Sequence, residues 1–193
     1  QLGELEEAEG LFEQAETMFR SQGNAVRAAA IDLYRGVMHM QAGDFAEARI
    51  IAQRAYQAFM KEDVKPRAAF AQVVSARAGL KSADLEAASR YSAIASSIYE
   101  QSPMPWVGQQ LHAVRGEICL AEGRPEIARE EFHNALGELQ RVRANIAPDE
   151  LRLNFLKDKV PVYELLVNTN LRLGRPANLR EALETAERAK SRT

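Results

Sequence analysis

Gly43-Asp44-Phe45-Ala46-Glu47-Ala48, followed seven residues later by Ala55, decides the fold because its pattern returns along the chain at one fixed spacing. Gly3, Gly43, Ala83 and Gly123 stand 40 residues apart, as do Ala8, Ala48, Ala88 and Ala128, and Ala15, Ala55, Ala95 and Ala135. A fifth copy carries Gly174, Ala182 and Ala189. A period of about 40 residues is the signature of stacked helix pairs, each too small to bury its apolar face alone. Gly36, Ala76 and Gly116 keep the same spacing and put a small residue on the first helix of each pair. There it can meet the alanines of the second helix at the short end of the ~8–10 Å interaxial range. Larger residues (Phe12, Phe45, Leu85, Phe132) are expected to fill the gaps between pairs.

Working outward, steps of three and four between apolar residues predict helices over about 4–21, 25–42, 45–61, 66–81, 85–101, 106–122, 125–143 and 177–190. The second of these is expected to carry Ile31, Tyr34, Val37 and Met40 on its apolar face. Gly43 is the natural left-handed stop of one helix, and Asp44 and Asp84 are N-caps of the next. Ser102-Pro103-Met104-Pro105 breaks the chain, and Gly123-Arg124-Pro125 and Gly174-Arg175-Pro176 each stop one helix and start another. Between those two turns the step lengthens to 51 residues. The extra residues fall around Ala147-Pro148-Asp149 and Leu151–Leu156, with Pro161 ending or kinking that segment before Tyr163–Val167 resumes. The expected fold is all-α: a right-handed superhelical solenoid of antiparallel helix pairs, about four and a half repeats in one domain over 1–193, with a specialised C-terminal repeat over 144–193.

Composition narrows the function. Lys plus Arg number 25 against 27 Asp plus Glu, a net charge of −2, without the basic excess of nucleic-acid binders. The lone cysteine, Cys119, allows no internal disulfide framework and fits a reducing compartment. No apolar run approaches the ~18 residues of a membrane span and no signal segment opens the chain, so a cytoplasmic location is expected. The chain begins at Gln1 without Met and stops at Thr193 with the helical pattern still running, and so reads as a piece of a longer one. The face of the last helix carrying Leu183 and Ala186 would then lack a cover.

The order of a small residue, then Gly-x-apolar-x-x-Ala, then Ala seven residues on, carried by Gly36, Gly43, Phe45, Ala48 and Ala55, resembles the tetratricopeptide repeat (TPR). The basic unit of that family is about 34 residues, and six more helical residues add about 9 Å, which suits lengthened helices. The chain departs from the family pattern in lacking Trp or Leu at the helix opening and in placing Arg35 before Gly36. Phe155–Lys159, Val162-Tyr163-Glu164, Leu171–Gly174 and Ala186–Arg192 resemble the last repeat before a CHAT domain, a caspase-like domain found after such arrays. The resemblance implies a protein-interaction scaffold that regulates or docks an adjoining CHAT-type protease lying outside this chain. The alternative is the sensor or oligomerisation array of a bacterial transcriptional regulator that binds a small ligand or peptide.

Family register puts the partner-binding concave face on the first helix of each pair. It would consist of Leu33, Val37, Met40 and Gln41, then Val73, Arg77 and Lys81, then Gln110, Ala113, Glu117 and Ala121, then Asn168 and Arg172. Of the positions that clamp a C-terminal carboxylate in some members, only Asn168 matches. His39 and Cys119 occupy the same repeat position 80 residues apart and are read as core residues rather than a catalytic pair. His112 and His133 have no Cys or His at metal spacing, no phosphate loop occurs, and the run Glu4, Glu6, Glu7, Glu9 and Glu13 reads as a solvated face. No catalysis, cofactor or metal site is expected. The expected partners are a protein or peptide and a downstream domain, with no nucleic acid or membrane, and a homo-oligomer is compatible with the array.

Overall fold

The computed structural model describes residues 2–144 and 160–190, with side chains over 7–142 and 162–190. Every described element is an α-helix, and the chain divides into two compact units, Gln1–Pro103 and Met104–Thr193. The first holds α1 (Leu2–Ser21), α2 (Ala25–Ala42), α3 (Phe45–Lys61), α4 (Lys65–Lys81) and α5 (Leu85–Gln101). The second holds α6 (Pro105–Ala121), α7 (Pro125–Ala144), α8 (Val160–Leu173) and α9 (Pro176–Lys190). Within each unit every helix packs on its neighbour in sequence, and α2 also touches α4, as expected of stacked antiparallel pairs; two or three residues join successive helices, except between α7 and α8.

The turns keep a stricter clock than the sequence pattern suggests. Gly23, Gly43, Asp63, Ala83 and Gly123 all take positive φ, between +53° and +85°. At each, the N–H of the following residue reaches back to the carbonyl five residues earlier, as in Asp44 N–H to His39 O (2.9 Å) and Asp84 N–H to Gly79 O (2.9 Å). That bond closes a Schellman cap and satisfies carbonyls the helix leaves open. Between Gly23 and Gly123 the left-handed residue thus recurs every 20 positions except at Pro103, whose ring fixes φ at about −65°. There Ser102 closes α5 with bonds to Ile98 O and Tyr99 O, Met104 runs extended, and the two units divide. Asn24, Asp44 and Asp84 cap the next helix through their side chains. Val64 and Met104 make no such bond, but Pro66 and Pro105 stand in the first turn of the helices they precede. Alanine in the left-handed region is strained where glycine is not, so Ala83→Gly should raise the denaturant midpoint, by about 1 kcal/mol of stability.

Close helix crossings are made by the small residues, with one correction. A Cβ on Gly36 would touch Ala48 O (3.4 Å) and Ala52 N (3.6 Å), so the glycine meets the alanines of α3 as expected. In the α4–α5 pair Gly79, which the period did not single out, also makes a close approach: its Cβ would lie 2.9 Å from Ala88 N. At Gly116 the nearest atoms to a Cβ belong to the ring of Phe132 and not to an alanine; that ring lies within its own pair and also clusters with Cys119, Ala128 and Leu166. Tyr34, expected on the apolar face of α2, is exposed.

The last pair breaks the rule. Aligning Gly174 on Gly123 puts Val167 where Gly36, Ala76 and Gly116 stand, and Leu179, Leu183 and Ala186 where Ala128, Phe132 and Ala135 stand. Valine cannot admit the close crossing. Helix α9 instead buries Asn178, Ala182 and Thr185, one position round the helix, and Asn178 donates to Asn170 at 3.0 Å. This explains why the fifth copy has its alanine eight residues after the glycine instead of five. Pro161 falls in the first turn of α8, where a proline starts a helix and does not kink it. The extra segment 145–159 lies outside the described residues.

Candidate functional site

Each first helix of the first three pairs carries two polar residues one turn apart, at positions 32 and 35, 72 and 75, and 112 and 115. All six are bonded to a neighbouring second helix. In the first unit, Asp32, 2% exposed, takes a bidentate contact from Arg54 of α3 (3.0 and 2.6 Å). Arg35 donates to Glu9 and to Glu16 (3.1 Å) of α1 and lies 3.6 Å from Asp32. His39 stands 3.8 Å from Glu9 and 3.5 Å from Asp44. One pair further on, Gln53 donates to Gln72 (3.0 Å) and Ser75 (2.7 Å). In the second unit, Glu131 holds His112 (2.7 Å) and Arg115 (2.8 Å). The hydrogen bond to Glu9 outweighs burial and holds the Arg35 guanidinium above its ordinary pKa, and that to Asp32 does the same for Arg54.

Apart from Glu9 Oε2, which has no hydrogen-bond partner, these groups bond to one another, which suits them to fixing helix register. Glu9 in particular is not a solvated residue, as the acidic run suggested, but an ion-pair partner in the α1–α2 seam. The Cys119 thiol is buried beside Ala128, Phe132 and Leu166, and burial pushes its pKa up, away from the reactive thiolate. Among the described residues no three His, Cys, Asp or Glu side chains are grouped to hold a metal, and no helix is long and apolar enough to cross a membrane.

The residues expected to face a partner divide. Leu33, Val73 and Ala113 are buried, because their positions on α2, α4 and α6 turn into the helix packing; they belong to the core and cannot be offered to a ligand. Gln41, Lys81, Ala121, Asn168 and Arg172 are exposed, and Val37, Met40, Arg77, Gln110 and Glu117 are half-buried. What remains in the first unit is Val37, Met40 and Gln41 on α2 and Arg77 and Lys81 on α4, two touching helices, and the structure adds Tyr34 and Phe70, which were not among the expected residues. Tyr34 is 61% exposed, an aromatic ring with no core to enter. Its repeat equivalents Val74 and Val114 are buried, so the period gave no sign of it. Helix α4 carries Lys65, Arg67, Arg77 and Lys81 and no acidic residue.

In the second unit Glu181 of α9 accepts from Arg129 of α7 (2.7 Å) and pairs with His133. Burial works to raise the Glu181 pKa, but His133 and Arg129 outweigh it and hold the carboxyl below its ordinary range. A depressed carboxylate contributes stability above its unfolded value near ~4.3 and loses it as pH falls through the folded value. Glu181→Gln should therefore lower the unfolding midpoint at pH 7, by an amount that shrinks as pH falls below about 4, read by urea titration across that range.

No family model matches the chain, and no curated protein is similar to it. Among solved structures it is similar to BtubC (BKLC) from P. vanneervenii, with 16% identity and a TM-score of 0.70 over 98% of this chain and 73% of that one. At that identity the likeness bears on fold alone, and it is to a helical-repeat protein.

Proposed function

We propose that this helical-repeat chain is a non-catalytic interaction module whose α2–α4 surface receives an extended peptide or a partner helix. The observation that carries the reading is the exposed aromatic Tyr34 on a stripe with Val37 and Gln41, beside an α4 that holds only basic charges. A rigid aromatic flanked by apolar and cationic side chains supplies the anchor and the charge that binding surfaces use. Selecting random displayed peptides against the immobilised chain tests it. Binders enriched in acidic residues should lose at least about tenfold in affinity to Tyr34→Ala, a change of about 1.4 kcal/mol, and again to Lys81→Glu. Binders indifferent to both variants would place the surface elsewhere.

The finer reading is that the last repeat docks a CHAT-type domain in a longer parent chain. It is supported by the resemblance of Val162-Tyr163-Glu164, Leu171–Gly174 and Ala186–Arg192 to the repeat preceding such domains. Reading the parent coding sequence past Thr193 tests it: a caspase-like segment with separated His and Cys supports docking, and a DNA-binding motif or an immediate stop removes it.

A further inference from the structure

The register change of α9 leaves Leu179 45% and Leu183 65% exposed, while their counterparts Ala128 and Phe132 in α7 are wholly buried. Leu179, Leu183 and Ala186 follow one another at steps of four and three, one continuous stripe along the helix. Exposed Arg180 and Glu187 run along the edge of that stripe, seven residues apart. The arrangement is self-complementary when turned end for end about Leu183. A two-fold axis there places Leu183 on Leu183 of the second helix, each Leu179 against the small Ala186, and each Arg180 beside Glu187. Glu187 already meets Lys190 of its own helix at 3.2 Å, but that pair is exposed and worth little.

We infer that α9 is a self-association surface, joining two copies of this chain through antiparallel α9 helices in an isologous pair. Size and charge order both select a second copy over an unrelated apolar partner: large faces small and Arg faces Glu twice under one operation. A single helix face buries less than the ~1,200 Å² of a standard interface, so the dimer is weak, with Kd in roughly the 10 µM to 1 mM range.

Sedimentation equilibrium of the whole chain across that range tests the assignment. The expected result is a concentration-dependent dimer whose Kd rises at least about tenfold in Leu183→Glu. Arg180→Glu and Glu187→Arg each weaken it, because each sets like charges against one another, and the double exchange R180E/E187R restores it. A chain monomeric throughout, a dimer untouched by Leu183→Glu, or a double exchange no better than the singles would overturn the antiparallel pairing. The charge series keeps the test decisive even if Leu183→Glu perturbs folding.

Discussion

Replacing Gly116 by alanine is expected to destabilise the second unit by about 3 kcal/mol, against the usual direction of a glycine-to-alanine change inside a helix. Propensity alone would favour alanine by about 1 kcal/mol. The new methyl, however, would sit about 2.7 Å from Cδ1 and Cζ of Phe132, a ring that is 0% exposed and has nowhere to go. Gly10 and Gly137 also lie within helices, and a Cβ at either meets nothing within 4 Å. Their alanine variants should therefore gain up to about 1 kcal/mol each. Urea unfolding of the three variants separates sterics from propensity in one protein. Adding Phe132→Leu to Gly116→Ala should recover more than 1 kcal/mol in a double-mutant cycle, on the order of what contacting residues show. A cycle with no coupling would mean that the ring is not what the glycine accommodates.

Arg35→Met should lower stability by about 3–5 kcal/mol at pH 7, since it removes one partner from a buried ionic cluster and leaves the others. Methionine replaces most of the stem, but Glu9 and Glu16 lose the guanidinium that joins them, and Asp32 keeps only Arg54. The Arg35 side chain is 13% exposed, so water cannot take over the role. A lysine at the same position keeps a cation beside the carboxylates and should recover part of the loss. A lysine variant as unstable as the methionine one would assign the deficit to something other than the missing charge.

Most of the fold was legible because its determinants are local. Glycine stops, Asp and Pro starts and the alanine spacing place the boundaries of α2, α3 and α5 on the residue, and those of α4 and α6 within one. The left-handed turns at Asp63 and Ala83 were harder to see, since only their register, not their chemistry, marks them. The polar seam was written in the sequence at positions 32, 72 and 112 and at 35, 75 and 115, yet one residue at a time it looked like scattered surface charge. Burial distinguishes Asp32 from an ordinary aspartate, and that burial comes with the packing of α3, a separate helix. The surface was read least well. Leu33 and Val73 share a helix face with half-buried Val37 and Arg77 one turn on, and a repeat register gives the face but not how far the neighbouring helices cover it. Tyr34 was misplaced for the opposite reason: it has the chemistry of a core residue at a position where its counterparts are core.

The pairing of each helix with its neighbour in sequence has a consequence for how the chain acquires its structure. Nearly all contacts in each unit close short loops, so little entropy is lost before they form, and rapid folding follows from that topology. A growing chain meets the partner of each helix about 20 residues after making it. The order of synthesis and the order of assembly can therefore coincide, with each hairpin serving as the template on which the next one condenses.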